Sequence, residues 1–152
     1  MRRFVVLLQV VLAVLVAGSA AHAADQTLLG AWKISDAVMA PWVAQQSPDE
    51  VAEMAKLKGQ PVTFAAHEVI AASVIGCTDV GYEVTRIPPE GLFQGGLPEG
   101  RQAQAAAALG LPPGEVPGID VACSTGLFSY HFRDASTALF ALDNVIYTLT
   151  RQ

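Results

Sequence analysis

A chain of 152 residues with 14 Asp and Glu against 9 Lys and Arg, formal charge −5, is a poor partner for nucleic acid or anionic lipid. Binding to either rests on Lys and Arg meeting phosphates. More than half of the residues are hydrophobic and 15% are charged, which is enough apolar material for one domain with one core.

The chain opens with Arg2-Arg3, a greasy run from Phe4 to Ala17, and Gly18-Ser19-Ala20-Ala21-His22-Ala23. A basic start, a short apolar run and an A-x-A site read as an export signal cleaved after Ala23. The run falls short of the ~20 residues a bilayer span needs, which argues against an uncleaved anchor. No Cys stands at the cleavage point, so no lipid anchor is indicated. Residues 24–152 are then a single domain, with no membrane span left after cleavage. Loss of Arg2 and Arg3 takes the charge from −5 to −7. The expected location is the periplasm, with secretion to the medium as the alternative. Cys77 and Cys123 are the two cysteines. In an oxidising compartment an isolated pair without C-x-x-C spacing is read as one structural disulfide.

From Leu28 to Val38, Trp32 and Ile34 alternate with Ala31 and Lys33, the period of a strand with one buried face. A loop from Met39 to Gln46 centres on Pro41-Trp42. Ser47-Pro48-Asp49-Glu50 then carries helix-start chemistry: a capping Ser, Pro at the first helical position, and Glu to complete a capping box. Val51, Met54, Ala55 and Lys58 share one face, and Gly59 ends the helix. Pro61 to Ala66 and Glu68 to Ile75 read as strands, as does Val80 to Arg86, where Tyr82 and Val84 alternate with Glu83 and Thr85.

Ile87 to Gly118 departs from this pattern. It is rich in Pro and Gly at both ends, with a helical Ala-rich middle from Gln102 to Leu109, and is either a binding loop or tolerated decoration. In the last third, Ile119-Val121-Cys123, Phe128-Tyr130-Phe132, Phe140-Leu142 and Val145-Tyr147-Leu149 each alternate. Thr125-Gly126, Arg133 to Ser136 and Asp143-Asn144 divide them, as in a meander of tight hairpins. The expected fold is mainly β: a single antiparallel eight-stranded barrel-like meander with two short helical insertions. Closure of the sheet on itself would remove its exposed edges.

Gly30-Ala31-Trp32 on the first strand resembles the G-x-W signature of lipocalins and the wider calycin group, which includes bacterial periplasmic metalloprotease inhibitors. In that group a basic residue at the last strand packs over the strand-one Trp. The resemblance therefore implies that Arg151 closes over Trp32. The helix at Ser47 to Lys58 and the excursion from Ile87 to Gly118 depart from the compact inhibitors. Nothing in Ala24 to Leu28 matches the segment with which those inhibitors engage their protease.

Candidate chemistry is sparse. His67 with Glu68 looks like a fragment of a metal site, but adjacent strand residues point to opposite faces. His67 and His131 could share a surface site with Asp134 only through a chance of folding, and His131 reads as a solvated outer-face residue opposite Phe128, Tyr130 and Phe132. No Ser lies in a G-x-S-x-G setting, and Gly95-Gly96 has no following Lys or Ser to make a phosphate loop. No catalytic residue, metal ligand or cofactor is therefore assigned. Trp42, Leu92 and Phe93 put large apolar groups in loops, as partner anchors, as lids, or as plugs folded back onto the core. Tyr82, Tyr130 and Tyr147 either orient a ligand in a cavity or fill the core. Two functions follow: an exported non-catalytic protein that binds another protein, as an inhibitor of a hydrolase, or a lipocalin-like carrier of a small apolar ligand in the barrel mouth.

Overall fold

The computed structural model describes residues 28–45 and 47–152; the export-signal reading of residues 1–23 lies outside them. The elements run β1 (Gly30–Met39), α1 (Pro48–Leu57), β2 (Pro61–Phe64), β3 (Glu68–Ala71), β4 (Cys77–Thr78), β5 (Gly81–Ile87), α2 (Glu99–Ala108), β6 (Val116–Cys123), β7 (Gly126–Asp134), β8 (Thr137–Leu142) and β9 (Val145–Arg151). Two 3₁₀ turns, Ser73–Ile75 and Pro89–Phe93, lie between them. Among the described residues no helix is long and apolar enough to cross a membrane.

The strands form one antiparallel sheet in the order β4-β3-β2-β1-β9-β8-β7-β6-β5, curled into a half-barrel. Mainly β architecture with two helical insertions is thus present, with nine strands where eight are expected. The added strand is the two-residue β4, too short to give an alternating pattern. Closure also differs from the expectation: β4 and β5 lie at opposite ends of the strand order and share no ladder, so the edges are not abolished. Instead the Cys77–Cys123 disulfide ties β4 to the end of β6, and the Tyr82 hydroxyl donates to the Ala65 carbonyl at 2.7 Å.

Local chemistry explains several element ends. Ser47 Oγ accepts from Glu50 N while a Glu50 carboxylate oxygen accepts from Ser47 N, so the capping box at α1 forms as its sequence dictates. Asp143 and Asn144, at φ 47° and 62°, make the tight β8–β9 turn in the left-handed region that Asp and Asn tolerate.

The concave side holds the main core. Trp32, Ile34, Phe64, Tyr130, Phe132, Phe140 and Tyr147 face inward from five of the strands, and α1 adds Leu57. Trp32 sits opposite Arg151 in the β1–β9 register, and the guanidinium carbon lies 4.5 Å from the indole centroid. A cation held over an indole contributes about 0.5–2 kcal/mol. The indole N–H also donates to the Leu28 carbonyl at 2.7 Å, so this corner joins the chain start of the sheet to its end.

A second core lies on the convex side. Leu139 of β8 and Ile146 of β9 face outward and are covered by Leu92 and Phe93 of the second 3₁₀ turn, by Leu97 and by Ala106 of α2. The excursion from Ile87 to Gly118 is therefore a lid on the back of the sheet.

Candidate functional site

Of the readings open for Trp42, Leu92 and Phe93, the structure gives the plug: all three are built into this second core. Phe93 is 0% exposed and Leu92 is equally buried, so neither is a presented apolar tip. Trp42 is half-buried, packs edge-on to Phe93 with centroids 6.3 Å apart, and donates from its indole N–H to Asn144 Oδ1 at 3.1 Å. A Cβ on Gly96 would stand 2.6 Å from that indole, so glycine is required where the loop crosses it. All three residues are plugs because β8 and β9 offer apolar groups on both faces and leave a surface that must be covered.

The three tyrosines divide differently. Tyr130 and Tyr147 are buried and joined through Phe140: ring centroids step from Phe64 to Tyr130 at 5.2 Å, to Phe140 at 5.1 Å and to Tyr147 at 5.2 Å. This aromatic file occupies the concave side where a ligand between those phenols would lie. Burial pushes the phenol of Tyr130 well above its ordinary range and those of Tyr82 and Tyr147 up to about 12, so all three stay neutral donors. Tyr82 stands apart at the rim, holding Ala65 across the seam.

His131 is the residue that the sequence reading misplaced. It does face the convex side, opposite Tyr130 and Phe132, but it is 1% exposed because the Pro89–Phe93 turn lies over it. A Cβ on Gly91 would come within 3.3 Å of His131 Nε2. Its ring nitrogens are sealed from solvent, with the backbone of Ser129 and of Pro88 as their polar neighbours. Beside it on the same face, Ser129 donates its hydroxyl proton to Asp120 Oδ1 at 2.5 Å, so that serine is turned toward a carboxylate and away from the imidazole. Among the described residues no group of three or more His, Cys, Asp and Glu is placed to hold a metal ion.

Burial holds the His131 imidazole below its ordinary pKa of 6.5; the Ser129 and Pro88 backbone and the Asp120 charge oppose that shift without reversing it. The unfolded chain therefore binds the proton more readily than the folded one. Stability is fully present above pH 6.5 and falls as the pH drops below that value, by at most about 1.4 kcal/mol per unit for one group. Unfolding by urea between pH 7.5 and 5 should show this slope, and His131→Gln should flatten it. An unchanged slope in the variant would place the pH sensitivity elsewhere.

The rim of the sheet supplies the remaining geometry. β5 pairs with β6 along its whole length, Gly81 with Ala122 through Ile87 with Val116, and among the described residues it has no strand on its other side. Val84 pairs with the buried Ile119 and so belongs to the core-facing row, yet it is 54% exposed. The seam is stapled at the Cys77 end and open at this one. On the convex side β5, β6 and β7 are paired so that Glu83, Asp120 and Ser129 form one cross-strand row. Glu83 and Asp120 were not singled out in the sequence reading. Alternation marks both as outward-facing, but only the pairing register makes them neighbours.

Comparison with protein-family models, with curated proteins and with solved structures finds no match for this chain.

Proposed function

We propose that this chain is an exported, non-catalytic binding protein that grips another protein through the open edge of β5. The observation that carries this reading is Val84, a side chain in the core-facing row that remains 54% exposed because, among the described residues, no strand lies beyond it. An unpaired strand edge is a ready template for an extended segment of a partner, which gains main-chain hydrogen bonds by joining the sheet. The aromatic file from Phe64 to Tyr147 favours this over a carrier of an apolar ligand, because it fills the space such a ligand would need. The pair of Trp32 and Arg151 resembles the wider calycin group, in which exported binding proteins include inhibitors of hydrolases, and an extracytoplasmic hydrolase is the partner proposed here.

The test is site-specific photo-crosslinking in an exporting host. A photoreactive residue at position 84 should give one discrete protein adduct, while the same residue at position 70, exposed on β3, should not. Once the partner is purified, Val84→Lys should abolish its binding and leave thermal unfolding unchanged, since a charge on an exposed edge blocks strand addition. Equal crosslinking from both positions, or a small-molecule mass released from the protein on denaturation, would overturn the reading.

A further inference from the structure

The concave side carries a second feature, four strands away from β5 in the sheet. A cleft of about 270 Å³ opens where the first turns of α1 meet the β8–β9 turn, lined by Asp49, Glu50, Glu53, Asp143, Val145 and Tyr147. Its two walls are tied together. Asn144 donates from Nδ2 to Glu50 Oε1 at 3.0 Å and accepts at Oδ1 from the Trp42 indole at 3.1 Å, so the helix, the turn and the Trp42 plug share one residue.

The floor of this cleft sets it apart from a solvated cluster of acids. Tyr147 is 1% exposed, lines the cleft, and has no hydrogen-bond partner for its hydroxyl among the described residues. Its ring is fixed by stacking on Phe140, and Glu53 and Asp143 are the carboxylates whose charges, after burial, hold its proton on. Buried polar groups in folded proteins find partners, and one that reaches a cleft without one marks a place for a ligand atom. The carboxylates are of two kinds. Glu50 has both oxygens engaged, by Ser47 N and Asn144 Nδ2, and Glu53 is met by Lys56 Nζ at 3.0 Å and more loosely by Ser73 Oγ at 3.4 Å. Asp49 and Asp143 stand exposed at the rim. Among the described ion pairs, Lys56 is the one cation on these four carboxylates. They are not gathered into a set placed to hold a metal ion, so a cation here must bring its own hydrogen-bond donors.

We propose that this cleft receives the ammonium group of a lysine side chain from a protein partner. The inference rests on the protein-binding reading but not on the β5 edge. Charge selects the partner: the chain carries a formal −5, four of its acids stand around this cleft, and a basic surface is drawn to such a field. Ammonium suits the site better than guanidinium. It is a compact charge with three donors, and the cleft offers the phenol oxygen of Tyr147 beneath and carboxylates on the walls beside it. A guanidinium fork needs both oxygens of one carboxylate, and at Glu50 and Glu53 both oxygens are already engaged. Val145 gives the methylene stem an apolar wall. A second copy of this chain is a poor occupant, because two acidic molecules would oppose like charges.

The experiment is an NMR titration of the ¹⁵N-labelled, disulfide-bonded protein at pH 7 and low salt with four probes: acetyl-lysine methylamide, its trimethyl-lysine and arginine counterparts, and butylamine. The lysine probe should give saturable shifts at Asp49, Glu53, Asp143 and Tyr147. The trimethyl-lysine probe keeps the charge and loses the N–H donors, and should bind about tenfold more weakly, the loss of one charge-assisted hydrogen bond. Tyr147→Phe keeps the ring and removes only the unpartnered hydroxyl, so it should leave the urea midpoint unchanged and weaken the lysine probe by a similar factor. Asp143→Asn, which keeps a residue that tolerates the left-handed turn position, should weaken it too and carries the test if Tyr147→Phe unfolds. Equal binding of the lysine and trimethyl-lysine probes would reduce the cleft to a patch that collects positive charge and overturn the proposal. Tighter binding of the arginine probe, or of butylamine as a free amine, would overturn the lysine assignment, and silence or wild-type affinity in both variants would overturn the site. None of these results touches the β5 edge, whereas loss of the crosslink at position 84 with lysine binding intact would overturn the edge alone.

Discussion

Phe93→Ala is expected to lower the unfolding free energy by about 3–5 kcal/mol, the range for removing a fully buried aromatic ring. Phe93 is completely covered and lies with Leu92, Leu97 and Ala106 against Leu139 and Ile146. Its ring also supports the Trp42 indole edge-on. Truncation leaves a cavity between the 3₁₀ turn and the sheet, where Leu92 and Pro89 of the same turn remain buried. Denaturant unfolding monitored by tryptophan emission measures the effect, and Trp42 should report the loss of its neighbour directly. A loss below about 1 kcal/mol would show that the ring is dispensable to the fold and free to act as a partner anchor. The same substitution should also expose the back of β8, where Leu139 and Ile146 are adjacent outward apolar groups, and so promote aggregation on heating.

Breaking the disulfide is expected to cost a similar amount. The Cys77–Cys123 bridge spans 46 residues, and closing a loop of that size removes about 4 kcal/mol of chain entropy from the unfolded state in the loop-entropy description. Its position concentrates the effect. β4 has two residues and β3 has four, so this end of the sheet holds few ladder hydrogen bonds, and the bridge ties it to the long hairpin of β6 and β7. The Cys77→Ser/Cys123→Ser protein should unfold at markedly lower urea, and amide exchange should quicken first in β3, β4 and the Ser73–Ile75 turn. Unfolding curves that coincide with and without reductant would show that the seam is held by the Tyr82–Ala65 hydrogen bond and by core packing alone. Because the seam lies beside β5, the double variant should also broaden the β5 amide signals, a readout independent of global stability.

The hairpins of the final third were legible because each strand alternates and each turn is written in residues that tolerate the required backbone. Asp143-Asn144 is the clearest case, with both residues at positive φ. The helix from Pro48 was equally legible, since its capping box is a local exchange of hydrogen bonds that needs no tertiary partner. The pairing of Trp32 with Arg151 was readable only through a resemblance, as nothing in spacing alone links residues so far apart. The convex core left a signal that the alternation reading passed over: Thr137-Ala138-Leu139-Phe140-Ala141-Leu142 and Val145-Ile146-Tyr147 are continuous apolar runs, the mark of strands covered on both faces. Read that way, an outer cover over β8 and β9 was required, and the excursion from Ile87 to Gly118 was the segment available to supply it.

His131 shows the limit from the other side. Its strand alternates, so an outward and solvated position was the natural reading. Burial came from a turn forty residues earlier in the chain, folded over it by contacts centred on Phe93 rather than by anything in the histidine's own neighbourhood. The sequence by itself determined eight of the nine strands, the two helices, the turn chemistry and the inward-facing residues of the hairpins, because these follow from local backbone preference and a period of two. Only the tertiary structure decided that the sheet stays open between β4 and β5, that Glu83 meets Asp120, and that His131 is sealed from water. Each of these depends on register and on long-range covering of apolar surface, and such contacts are set by the competition of whole faces for burial, which no local window of residues encodes.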